Sequence, residues 1–506
     1  MNTYKRTTVA LLGALALSTS CQKDLLDKVN PNQPTVGNFW QSQTDAAAGL
    51  TAAYSALQFP GTFARWVHFA NDIRSDEGYS LSPWTDLANF TRFIQFDYNL
   101  EPTRVIWEDH YRGVFRCNQI LAYVPAIKME ATMQKTMLAE AHFLRALLYF
   151  NLVTHFGNVP LILTPSDITV KASQGTIAQG QAQIIADLQA AITDLPVNND
   201  IGHATKGSAQ ALLGRMYMQQ RKWQEASALF TSIIDSKKYS LVPNYLDNFT
   251  TANENNSESL FEVQFSSVNQ GGGQDVAGAS EGFERPQFFG PPGIGWTDGR
   301  ARPWLLGEFR DSSLTFAPKS TTKHLFDERR DITVFHYPML LFGQTYETRK
   351  IPTTDNFWHK YEDDRTQDFE NYFSGINFRV IRYADVLLMQ AEALNELGQT
   401  TAAVPLINQV RQRPSVNLAP LTASFDQAGM RTQIMHERVC ELAGEGTRWL
   451  DLNRWGLLKS QAEIDKLKVP SHDEDFVNFV IGKSELLPIP RTDLTADQTL
   501  KQNPGY

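Results

Sequence analysis

Residues 138–162 read LAEAHFLRALLYFNLVTHFGNVPLI. Leu144, Leu147, Leu148 and Leu152 recur at helical spacing and form a broad apolar stripe. Ala141 and Ala146 are small enough to let a second helix approach closely. Gly157 can take the left-handed conformation that ends a helix, and Pro160 lies just beyond it. The stretch predicts a buried helix with a tight exit into an extended segment.

Helical periodicity continues on both sides. Residues 45–57 place Leu50, Ala53, Tyr54 and Leu57 on one face, and residues 105–124 resume it. Residues 181–195 align Ile184, Ile185, Leu188 and Ile192. Residues 208–236 carry Gly214, Tyr217, Ala226 and Phe230 at the offsets of a tetratricopeptide unit. Such a unit needs a small residue where two helices cross and a ring beside it, then a small and a large residue on the second helix. Residues 384–411 repeat the arrangement with Ala391, Leu394, Gly398 at the turn, Ala403 and Ile407. The predicted fold class is all-α, built on tetratricopeptide-like helical pairs, with a few short strands such as ESLFEVQF at 258–265.

Two stretches break the pattern. Residues 59–98 are rich in aromatics and are interrupted by Pro60, Gly61, Gly78 and Pro83, which predicts long ordered loops. From about 266 to 378 the helical period fades into Gly271–Gly273, Pro291-Pro292 and scattered rings. A long irregular insert of this kind is functional when it is ordered, and its aromatic density argues for order.

The amino terminus reads as an address. Lys5 and Arg6 precede an apolar run, residues 9–17, too short to span a bilayer, and Ser18-Thr19-Ser20-Cys21 follows. The pattern predicts a signal peptide over 1–20 and cleavage before Cys21 with lipid on its thiol. Residues 21–44 are then tether and linker, and 45–506 the body: a helical scaffold over about 45–265 and 379–506, with the loop-rich region over about 266–378. Cys117 and Cys440 form no metal-ligand spacing and are expected to be buried free thiols.

Composition narrows the function classes. The 506 residues carry a formal charge of -9 with no basic stretch to offset it, which argues against nucleic acid as partner. Aromatic content is 11%, including 10 Trp, enough to spare some rings for a ligand. Residues 278–282 match GxSxG but lack the strand and helix that a nucleophile elbow needs. His436-Glu437 is not followed by the second histidine of a zinc motif, and Gly271–Gly273 lacks the Lys-Ser/Thr of a phosphate loop. Asp363-Asp364 and Asp327-Glu328 are adjacent in sequence, which suits a solvated surface or local pairing with Arg329, Arg330 and Arg365. The expectation is a binding protein without catalytic residues, cofactor or metal.

Several blocks together resemble the SusD/RagB family of surface nutrient-binding lipoproteins: the 138–162 helix, RYADVLLMQAEALNELG at 382–398, HERVCELAGEGTRWLDLNRWG at 436–456, LLPIP at 486–490 and QNPGY at 502–506. The resemblance spans nearly the whole chain after the leader. It implies a helical scaffold, a second irregular region with the ligand site, and a SusC-like TonB-dependent outer-membrane transporter as partner. It also implies attachment to the outer membrane through the lipid at Cys21. A flat Trp face stacks on a sugar ring, and Asp, Asn or Arg at the rim bind its hydroxyls. Trp66, Asp72, Asp76, Tyr79 and Trp84 offer this mix in one aromatic stretch, and Trp296, Asp298, Arg300 and Trp304 in the other. The resemblance draws the ligand site from these two regions, and Asp72, Trp84, Trp296 and Arg382 are the expected ligand-binding residues for an oligosaccharide. A surface glycosidase on a helical scaffold, and a tetratricopeptide interaction scaffold, remain the alternatives.

Overall fold

The computed structural model describes residues 39–94, 98–165, 172–268, 280–310, 326–422 and 424–506. The leader and Cys21 lie outside the described residues. The amino-terminal helices are α1 (Gln43–Ser55), α2 (Glu101–Tyr123), α3 (Ala131–Phe156), α4 (Ile177–Asp194), α5 (Lys206–Gln219) and α6 (Trp223–Asp235). Each of α2 to α5 packs against its successor. Local chemistry starts these helices: Ser42, Thr176 and Thr205 each close a capping box with the residue three positions on.

The 138–162 stretch lies at the centre of this array. Burial extends around α3 beyond the leucine stripe, because α2 and α4 flank it; only His142 and Thr154 are half-exposed between residues 139 and 156. Gly157 ends the helix at φ 69°, and Val159–Pro160 leaves as a short strand paired with Gln174–Gly175. The LLPIP and QNPGY blocks meet here. The Leu487 amide donates to the His155 carbonyl at 2.6 Å, and Asn503 Nδ2 donates to the carbonyls of Phe156 and Leu487 at 2.9 and 2.7 Å. These contacts satisfy backbone groups at the end of α3 and fasten the carboxy terminus to it.

After α6 the chain enters strand β1 (Ser259–Val263), and strand β2 (Phe378–Arg382) pairs antiparallel with it, Ser259 opposite Arg382 and Val263 opposite Phe378. The two strands close the neck of the long irregular region. Beyond β2 come α7 (Tyr383–Glu396), α8 (Thr400–Arg411), α9 (Gln427–Leu442) and α10 (Arg448–Trp455). Helix α7 packs on α6, α8 and α9, so the array runs through across the insert. Both tetratricopeptide-like units form as expected. A Cβ on Gly214 would overlap the Phe230 ring, which is why the crossing needs glycine. Ala226, Phe230, Ala391, Ala403 and Ile407 are all fully buried.

The aromatic stretch 59–98 is not simply loop. It folds into consecutive short helical turns, Pro60–Ala64, Trp66–His68 and Phe69–Ile73, which bury residues 59–78 almost completely. Gly78–Tyr79 then pairs antiparallel with Arg300–Ala301, which fastens this stretch to the insert. Of the adjacent acidic pairs, Glu328 is exposed and Asp364 pairs locally with Arg365 as expected, while their neighbours are buried. Asp327 is 4% exposed and bound by Arg329, and Asp363 is 5% exposed. Cys117 and Cys440 are buried free thiols.

Candidate functional site

The Gly78–Tyr79 to Arg300–Ala301 pairing brings the two aromatic regions together, and a row of rings crosses the join. Trp66 lies 5.6 Å from Trp84 and 5.6 Å from Phe288, centroid to centroid. Phe288 lies 5.0 Å from Trp296, and Trp296 5.2 Å from Tyr372. The Arg65 guanidinium sits over Trp66 at 4.8 Å and Phe288 at 4.7 Å, and Glu284 holds it at 2.6 Å. Trp66 is core, Trp84 is half-buried, and Trp296 is 51% exposed at the outer edge.

A doubled-back loop presents Trp296. The short helix Arg285–Phe289 ends at Gly290, and the chain returns so that the Trp296 amide donates to the Gln287 carbonyl and the Asp298 amide to the Phe288 carbonyl, both at 2.7 Å. Thr297, at φ 60°, donates its hydroxyl to the Gly290 carbonyl at 2.9 Å. A Cβ on Gly295 would fall 2.7 Å from the Gln287 carbonyl oxygen, so only glycine lets the two arms close. Ser82 lies beside the Asp298 carboxyl and favours its charged form, and the Ser82 hydroxyl accepts the Trp84 amide at 3.2 Å. Trp84 and Trp296 are thus connected through Ser82 and Asp298 as well as through Trp66 and Phe288. Burial pushes the Asp298 carboxyl above its ordinary value.

Two of the four expected ligand residues are elsewhere. Asp72 is fully buried in the turn Phe69–Ile73, where its Oδ1 accepts the Gly446 amide at 2.7 Å. Burial, partly offset by Arg285, pushes its carboxyl up to about 7. It ties the aromatic stretch to the 436–456 block and reaches no solvent. Arg382 is 1% exposed at the end of β2 and is bound by Glu258 at 2.7 Å, Glu441 at 2.5 Å and Glu445 at 2.6 Å. Arg413 bridges the same Glu258 and Glu441, at 2.6 and 2.7 Å. Arg329 joins Glu441 at 2.8 Å and Glu437 at 2.7 Å, and Lys360 joins Glu445 at 2.7 Å. With Arg411 on Glu437 and Arg329 on Asp327, five cations face five carboxylates in one buried seam. The seam joins β1, β2, α9 and the irregular insert. Arg382 belongs to it because three buried glutamates converge on that position, and a guanidinium so held is not available to a ligand.

Other expected rim residues also turn inward. Asp76 forms a bidentate pair with Arg448 at 2.7 and 2.8 Å, and His472 donates to it at 2.9 Å. Trp304 stacks on His472 at 4.3 Å and donates its indole N–H to the Asp76 carbonyl. Arg300 pairs with Asp355 at 3.0 Å. Phe288 and Tyr372 were not foreseen. Phe288 had a sequence cue, a short helical turn directly before a Gly-rich hairpin; for Tyr372 there was none.

Cys440, His436 and Glu308 stand in a row, with Sγ 3.7 Å from Nε2 and Nδ1 2.8 Å from the carboxylate. The order is that of a nucleophile, base and orienting acid, but the thiol is buried and burial pushes its pKa up. The GxSxG match lies partly outside the described residues. A cleft of about 660 Å³ runs along α2 past Tyr111 and Phe115 and includes neither Trp84 nor Trp296.

Residues 257–506 match the model of the SusD family, and residues 24–218 match a second model described as starch-binding and associating with the outer membrane. The chain belongs to the SusD/RagB family. Two SusD-like proteins of Formosa agariphila are 27% and 28% identical to it, over 88% and 92% of this chain and 90% and 93% of theirs. A SusD superfamily structure from Bacteroides vulgatus superposes with a TM-score of 0.79 at 27% identity, covering 92% of this chain and all of that one. A laminarin-binding SusD-like protein superposes at 0.75 with 29% identity over 92% of this chain and all of its own. This SusD-like chain therefore has the helical tetratricopeptide-like scaffold of its relatives, and its aromatic row is built from the two regions outside that scaffold.

Proposed function

We propose that this SusD-like protein binds an oligosaccharide at the outer-membrane surface, with Trp296 and Trp84 as its stacking residues, and delivers it to a SusC-like TonB-dependent transporter. The observation that carries the reading is the half-exposed Trp296 at the end of a braced row of rings. A large, pre-positioned ring loses little entropy on stacking against the C–H face of a sugar. Family membership and a laminarin-binding relative at 29% identity support a glycan. The small residues before Cys21 support a lipid tether, and the domain layout assigned from sequence supports a surface body behind it. The reading is capture without bond cleavage. A glycan array on the soluble body, with laminarin as the first probe, tests it. Binding that Trp296→Ala abolishes supports it, and shortened glycan after incubation with pure protein would favour the glycosidase alternative. Membrane release of Cys21→Ala tests the tether, and co-purification of a large β-barrel from gentle detergent tests the transporter.

A further inference from the structure

Under the Trp296–Tyr372 edge lies a group of carboxyls that the seam does not use. Glu362, Asp363 and Glu370 are 1%, 5% and 4% exposed. Among the described residues, the one cation within ion-pair reach of the three is Arg285, whose Nη1 stands 3.8 Å from Glu362 Oε1. The neighbouring Asp364 is already paired with Arg365 at 2.8 Å and with His359 at 3.1 Å. Three carboxylates against one guanidinium would leave two uncompensated negative charges out of water, and a buried group in that position takes up a proton instead. The contacts fit this. Glu362 and Glu370 stand close enough to act on one another directly, and two such buried carboxyls without further cations are held by a proton rather than by two charges. No donor among the described residues reaches either Glu362 oxygen or Glu370 Oε2. Among the same residues, no group of His, Cys, Asp or Glu has the geometry to hold a metal ion.

The pair sits where the rings are set. Glu370 precedes Tyr372 by two residues, and its Cγ would lie 2.9 Å from a Cβ on Gly290, the root of the loop that carries Trp296. Its Oε1 accepts the Asp363 amide at 2.8 Å. Glu362 faces Arg285, which opens the short helix that carries Phe288. We propose that Glu362 and Glu370 are positioning residues: they share a proton, hold the Trp296–Tyr372 edge in place, and loosen it when that proton is lost. The effect on glycan affinity rests on the platform reading above; the effect on the loop does not.

The groups facing the pair set the sign. Burial holds both glutamates well above their ordinary 4.5; Glu362 and Asp363 raise Glu370 further, whereas for Glu362 Arg285 and Glu370 oppose the rise and Asp363 and Asp364 add to it. Arg285 itself also faces Asp72 and Tyr361. A raised pKa means that the contribution is complete below the ordinary glutamate value and is lost as pH rises through the folded one. The experiment measures laminarin affinity by calorimetry and acrylamide quenching of tryptophan fluorescence, on the soluble chain, from about pH 5 to about pH 9. The wild type is expected to lose about tenfold in affinity over that range and to become more easily quenched. Glu370→Gln keeps a donor that pH cannot remove, so both profiles should flatten to within about twofold; Glu362→Gln should do the same if the first variant folds poorly. Flat wild-type profiles, or glutamine variants with the wild-type slope, overturn the proposal. So does a melting temperature raised by calcium and lowered by EDTA, which would put a cation in place of the proton. Should laminarin not bind at any pH, the platform reading fails for that glycan, and the quenching profiles still decide the carboxyl pair.

Discussion

The buried seam around Arg382 and the aromatic row around Trp296 are both rich in the residue types that bind sugars, yet they are opposite in character. In the seam five cations meet five carboxylates, every partner is buried, and the charges hold β1, β2, α9 and the insert together. Under the row three carboxyls meet one guanidinium, and the rings above end at a Trp that is 51% exposed. Charge balance is what separates them. A balanced buried cluster stays ionised and acts as a clamp; an unbalanced one keeps protons and remains sensitive to pH. The proposed binding role falls to the region whose polar groups are not already satisfied by one another.

The largest effect should come from breaking the seam. Arg382→Met leaves Glu258, Glu441 and Glu445 short of a cation and should cost about 3–5 kcal/mol of stability. Denaturant unfolding measures it, and a midpoint equal to wild type would mean that the seam does not hold the fold. Whatever protein remains folded should bind glycan normally, because Arg382 does not reach the rings.

The converse change sharpens the contrast. Trp296→Ala should cost about 2 kcal/mol or more of glycan affinity, over tenfold, with little change in the melting temperature. Trp84→Ala is half-buried and should lose some of both. If Trp296→Ala melts far below wild type and binds as before, the row is core and the site is elsewhere.

Acid should test the buried ionisable groups across the scaffold, the seam's Glu441 among them. The arginines around Glu441 and Asp385 hold those carboxyls low, Asp385 at about 2. Burial holds His68, His110 and His155 at about 3, 4 and 3. These folded-state values lie below the unfolded ones. Their contribution is present above about pH 6.5 for the histidines and above about 4 for the carboxylates, and is lost as pH falls. The loss should total a few kcal/mol by about pH 4, seen as a falling denaturation midpoint. A midpoint that stays constant down to that pH would contradict the neutral buried histidines.

The smallest effect is expected at Asp72. Its carboxyl sits at about 7, and Asn would keep the acceptor for the Gly446 amide. Asp72→Asn should therefore change stability by less than about 1 kcal/mol at neutral pH and leave glycan affinity unchanged. A large loss of affinity would return Asp72 to the site.

Sequence alone determined the scaffold. The leucine spacing in α3, the glycine that ends it, and the small-and-large offsets of residues 214–230 and 391–407 are local signals, because helices repeat every few residues and their crossings exclude bulk at fixed steps. The two aromatic stretches were also legible as the regions outside that scaffold, and Trp84 and Trp296 do share one row of rings. Only the tertiary structure decided which side chain faces water. Trp66 and Trp296 stand in similar loop-like contexts, but one is core and the other half-exposed. Arg382 and Asp72 looked like rim residues until Glu258, Glu441 and Glu445, and the Gly446 amide, were brought to them from as far as 374 residues away along the chain. Burial is set by partners remote in sequence, and no local pattern carries it.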